Sequence, residues 1–198
     1  MSDSTFNPRT LILLLIVLFV TILRTVAPFS DNFGDIANIS AVGAITLFSG
    51  TYFKKPVQSF AIPLVTLLLT DAILATTIYK EYSNGFLYEG WYWTYISFAL
   101  MVFVTRVIVK KVNVLNFIGG TLVVVFIHWI ITDLGVWYGS KYPQTLVGFW
   151  TVLEMAIPFE LRFLYGTVGY GILMFGSFEL LNVKYPVLSL SRKRVSKY

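Results

Sequence analysis

The sequence predicts an all-α polytopic membrane protein, a six-transmembrane-helix bundle forming a single transmembrane domain over residues 1–198. Three observations lead there. Hydrophobic residues make up 57% of the chain, charged residues only 13%, and the mean hydropathy is +0.75; a soluble domain carries about 25% charged residues. Apolar runs near the roughly 20 residues that one helix needs to cross a bilayer fill most of the length. The basic residues also segregate to one end of the spans that these runs define.

The first span, about 10–28, contains "LILLLIVLFVTIL". It opens like a secretory signal, but no small-x-small cleavage site follows and the run passes directly into Arg24 and Pro28, so it reads as an uncleaved helix. The second, 37–53, is short and holds Ser40, Gly43, Ser49 and Gly50, which places it inside the bundle or tilted. The third, 57–79, carries Pro63, expected to kink it, and Asp71 in its outer half. The fourth, 91–109, starts in an aromatic cluster, and the fifth, 114–138, ends in "HWIITDLGVWYG". Residues 139–160 read as an outer connector; its semi-apolar part "YPQTLVGFWTVLEMAIPFE", with two prolines and Glu154, reads as a lid or a short surface helix. Pro158 then opens the sixth span, 161–183, and a basic tail, 184–198, closes the chain.

With the N-terminus cytoplasmic, the inner side holds Arg9, Lys54, Lys55, Arg106, Lys110, Lys111, Lys184, Arg192, Lys193, Arg194 and Lys197, eleven of the fifteen basic residues. Arg24, Lys80, Lys141 and Arg162 fall outside. Basic residues near span ends set orientation, so both termini are expected in the cytoplasm of a bacterial inner membrane. The net charge of +5 needs no nucleic acid partner; the tail "SRKRVSKY" is a topology signal with some attraction for anionic lipid.

Ionisable residues within spans face the bundle interior or a wet cavity. Arg24, Asp71, Asp133 and Arg162 fall at one depth near the outer boundary. His128, the only histidine, lies about 22 Å along the fifth span at roughly 1.5 Å per residue. His128 and Asp133 are five positions apart, so they point about 140° apart and do not meet. The charges read either as an ion-pair network joining spans or as a polar, aromatic-walled pocket opening outward. For the pocket, Arg24, Asn38, Asp71, His128, Asp133 and Arg162 supply polar contacts and Trp137, Tyr142 and Trp150 the walls. Glu179, beside Asn182 and Lys184, is expected to snorkel to the inner surface.

Several function classes drop out. Without cysteine there is no disulfide, thiolate metal site or cysteine nucleophile. With one histidine there is no bis-histidine haem site. No serine lies at helical spacing from His128 on the fifth span, and the chain is not expected to be an enzyme. Nor does it contain an ATP-binding motif; the glycines at 166, 169 and 171 follow no strand and serve close helix contact.

The run "RTVAPF…IANISAVGAITLFSGTYF", with Arg24, Asn38, Ala41, Ala44, Leu47, Phe48 and Gly50, then Pro63 and Asp71, then "TDLGVWYGSKYPQTLVGFWTVLEMAIPF", resembles a bacterial family of uncharacterised membrane proteins described as transport proteins. That family is similar to the substrate-binding S components of energy-coupling factor (ECF) vitamin transporters. The pattern has Asn where Asp133 stands and Gly-Asp where Gly166-Thr167 stands, and the first span lacks the small-residue stripe with which many S components dock. The resemblance implies a six-helix bundle with both termini inside, a vitamin-like ligand bound at the outer side, and, as partners, a transmembrane coupling subunit and ATPase subunits. The competing expectation is a structural or assembly subunit of a larger membrane complex, with no ligand of its own.

Overall fold

The computed structural model describes residues 7–29, 40–78, 80–82 and 87–189. Among these the secondary structure is entirely helical: α1 Pro8–Val26, α2 Val42–Tyr52, α3 Pro56–Thr76, α4 Trp91–Ile108, α5 Val114–Gly139 and α6 Leu146–Lys184. Five of them, all but α2, are long and apolar enough to cross a membrane.

α1 starts where its sequence allows. The Asn7 side chain accepts the Thr10 amide at 3.3 Å and Pro8 fills the first helical position, where no amide is needed. The helix buries Leu13, Val17 and Val20 and exposes Leu15, Leu18, Phe19 and Ile22. An exposed stripe this apolar is stable against lipid and unstable against water.

α2 has 11 residues, about 16 Å of helix, half of what a span needs. It is buried on every side from Val42 to Gly50, as expected for a helix that is apolar all round, and packs against α3, α4, α5 and α6. Its close neighbours explain its glycines. A Cβ at Gly43 would overlap Thr167 and the Phe163 ring, and one at Gly50 would press on Thr105 of α4. The carbonyls at its end are closed from outside: the Arg106 guanidinium donates to Phe53 O at 2.8 Å and Lys54 O at 3.2 Å.

α3 keeps Pro63 inside the helix, and α4 begins after Gly90, whose φ of 75° suits glycine. α5 is capped by Asn113, which accepts the Asn116 amide at 2.7 Å. α5 and α6 run antiparallel, as Phe117 against Gly171 at one end and His128 against Glu160 further along require.

The last third of the chain departs from expectation. Residues 146–160 are neither a lid nor a separate surface helix; they are the first four turns of a continuous 39-residue α6. Pro158 lies inside that helix instead of opening it. At about 1.5 Å per residue α6 is roughly 58 Å long, nearly twice the hydrocarbon thickness. Proline removes one backbone hydrogen bond, and side chains from a neighbouring helix can hold the loosened turn. α5 braces this stretch: the Trp129 indole donates to Leu153 O at 3.1 Å, one residue before the Glu154 carbonyl that Pro158 leaves without its helical donor, and His128 reaches Glu160.

The core at the end where α1 begins is aromatic. Phe48 and Tyr52 of α2 meet Phe175 and Phe178 of α6, with ring centroids 4.6–6.2 Å apart, and Arg9 lies over the Phe178 ring at 4.8 Å. Glu179 does not simply snorkel, because it accepts a hydrogen bond from the Tyr52 hydroxyl.

Candidate functional site

At the end of the bundle where α1 finishes, the helices enclose a cavity of ≈ 450 Å³, within the roughly 300–1,000 Å³ range of small-molecule sites. Each element contributes through its position. The end of α1 brings Arg24, the end of α3 Asp71, the segment before α4 Tyr88, the C-terminal half of α5 His128, and α6 Arg162. Val42, Leu67, Phe98, Phe159 and Phe163 form the apolar wall.

Arg24 is tied to α3 twice. Its guanidinium donates to the Thr70 hydroxyl and to Asp71 Oδ1 at 3.4 Å, with side-chain exposures of 13% for Arg24 and 9% for Asp71. Asp71 Oδ2 has no hydrogen-bond partner among the described residues. Tyr88 lies beside this carboxylate; burial and the Asp71 charge push its phenol up to about 12, so it remains a hydrogen-bond donor at neutral pH.

His128 is held on three sides. Its Nδ1 lies 2.7 Å from Glu160 Oε1, its ring stacks on Phe163 with centroids 4.0 Å apart and planes 12° apart, and Phe98 meets it edge-on at 5.7 Å. Arg162, four positions from Pro158 along α6, is exposed and makes no ion pair among the described residues. The described lining therefore holds two arginines and one ionisable acid, with His128 turned to Glu160. It is cationic on balance and carries flat aromatic surface.

Of the residues expected from sequence, Arg24, Asp71, His128 and Arg162 come together on this cavity. Asn38 lies outside the described residues. Asp133 does not join them: it is 7% exposed, its Oδ2 lacks a partner, and it is absent from the described lining. The expected aromatic walls are elsewhere. Trp137 lies nine residues beyond His128, about 13 Å further along α5, and pins the α5–α6 turn. Its indole donates to Pro143 O at 2.9 Å, and its carbonyl accepts Gln144 Nε2 at 2.8 Å. Tyr142 bonds to Met155 Sδ in the same turn, and Trp150 is 61% exposed. Replacing Trp137 by alanine is therefore expected to loosen the turn by about 1 kcal/mol while leaving the cavity unchanged, read as faster proteolysis within residues 140–145.

Sequence reasoning missed Glu160, because it placed that residue in a connector. Extending α6 helically through Pro158 puts Glu160 opposite His128, and the apolar residues on both sides of the proline are the signal that such an extension exists. Phe98 and Phe163 gave no signal, since phenylalanines in a membrane helix look alike whichever way they face.

Among the described residues, no group of three or more His, Cys, Asp or Glu side chains is arranged to hold a metal ion. Residues 4–188 match the model of DUF6580, a family of unknown function. No curated protein matches the chain, and no solved structure does.

Proposed function

The chain belongs to DUF6580, and we propose that this member is a substrate-binding membrane subunit for uptake of a small water-soluble, vitamin-like molecule bound at the outer end of the bundle. One observation carries the reading: a cavity of ≈ 450 Å³ within apolar, membrane-length helices is lined by two arginines, an aspartate and a histidine. Placing such groups at membrane depth is unfavourable unless partners or function offset it, and Arg162 has no ionic partner among the described residues. The cationic mouth and the His128–Phe163 stack favour a ligand with a carboxylate or other anionic group on a flat ring. The sequence resemblance to ECF S components adds to this reading a six-helix bundle with both termini cytoplasmic, and coupling and ATPase subunits supplying the energy that a chain without an ATP-binding motif does not. An uncoupled facilitator is the simpler variant.

Native mass spectrometry of the purified protein tests this. A retained small molecule is expected, and Arg162→Ala should weaken its retention about tenfold or more, the worth of a charged hydrogen bond, with the fold intact. The second reading, a structural or assembly subunit, is favoured by two polar contacts that join different helices: the Arg24–Asp71 ion pair between α1 and α3, and the His128–Glu160 hydrogen bond between α5 and α6. That reading expects no retained molecule and a silent Arg162→Ala.

A further inference from the structure

At the opposite end of the bundle lies a second cavity, ≈ 730 Å³, between the first turns of α1, the α2–α3 turn and the segment after α6. Its described lining divides by chemistry. Arg9, Lys54, Lys55 and Gln58 make one side, with no aspartate or glutamate among the described lining residues. Leu11 and Leu14 make the other; they are 42% and 40% exposed and continue into the apolar face of α1 that Leu15 and Leu18 present outward. The start of α3 also faces this space. Lys55 is its N-cap but makes no side-chain capping bond, and Pro56 follows, so the Val57 and Gln58 amides are first-turn donors without a helical acceptor. A recess that is cationic and donor-rich at its polar side and opens onto lipid-facing leucines has the polarity of a phospholipid.

We propose that this cavity binds one anionic glycerophospholipid, its phosphate held by Lys54 and Lys55 and an acyl chain lying along Leu11 and Leu14. Two features separate this from general attraction of a basic membrane face. The cations line a cavity instead of a flat surface, and its leucine wall continues into the exposed apolar face of α1. The site is remote from the outer cavity and stands whether or not that cavity takes a ligand.

The test is native mass spectrometry of the full chain in detergent, titrated with phosphatidylglycerol or with phosphatidylcholine of the same acyl chains. A single retained phosphatidylglycerol is expected, with phosphatidylcholine retained far less. Lys54→Gln and Lys55→Gln, at exposed side chains, should each weaken retention about fivefold. Lys110→Gln with Lys111→Gln is the control: these exposed lysines lie in the α4–α5 turn at the same end and outside the described cavity lining, and their loss should change little. Equal retention of both lipids, or equal losses in the control and the Lys54/Lys55 variants, overturns the proposal. Displacement of phosphatidylglycerol by millimolar inorganic phosphate would also overturn it, reassigning the site to a soluble anion.

Discussion

Replacing Arg24 by alanine is expected to destabilise the protein by about 3–5 kcal/mol, the usual consequence of removing one partner from a buried ion pair. Asp71 is 9% exposed, its Oδ1 faces the guanidinium at 3.4 Å, and its Oδ2 already lacks a partner among the described residues. Without Arg24 the carboxylate is left buried with no cation bonded to it. The measurement is folded yield and thermal midpoint in detergent. Arg24→Gln combined with Asp71→Asn should recover much of the loss, since two neutral amides of similar size leave no stranded charge. A coupling free energy under about 0.5 kcal/mol in the double-mutant cycle would contradict a direct interaction. The double variant also separates the two functional readings. If it folds but no longer retains the small molecule, the pair contributes to recognition; if it folds and retains it, the pair joins α1 to α3 and nothing more.

Gly43→Val should be nearly as damaging, by about 3 kcal/mol, at the upper end of the usual range for overpacking. The added atoms would enter space held by Thr167 and the Phe163 ring. α2 touches all five other helices, so it has no free side toward which to shift. Phe163 in turn stacks on His128, so the disturbance should reach the Arg24–Asp71 cavity and weaken retention of the proposed ligand together with stability. Gly169→Ala is the contrasting control. A Cβ there meets nothing within 4 Å, and alanine within a helix is expected to raise stability by about 0.5–1 kcal/mol. Thermal denaturation of the two variants side by side checks both expectations; a Gly43→Val protein as stable as the parent would mean that α2 is not the packed centre of the bundle.

The cavity residues legible in the sequence were those that stand out against apolar surroundings. Arg24, Asp71, His128 and Arg162 are charged or titratable groups in runs of leucine, valine and isoleucine, and their depth follows from counting residues at a fixed rise. Trp137, Tyr142 and Trp150 misled because aromatic residues collect at the membrane boundary whatever they do there. Counting gave their height but not their contacts: Trp137 bonds within the α5–α6 turn, Tyr142 bonds to Met155 of α6, and Trp150 is largely exposed. Glu160 was hidden by Pro158, which ordinarily marks a helix boundary. It does not end α6, because Trp129 and His128 of α5 reach the turns around it.

By itself the sequence determined the helical class, the presence of several helices long and apolar enough to cross a membrane, and the few polar groups set among them. All of these follow from composition and from the length that a bilayer imposes on a hydrogen-bonded backbone. Only the tertiary structure decided that α2 lies at the centre, that the final helix runs unbroken through its proline, and which charge faces which. Those outcomes depend on contacts between residues far apart in the chain, where one helix supplies the atom that another lacks, and no local pattern of hydropathy records such a pairing.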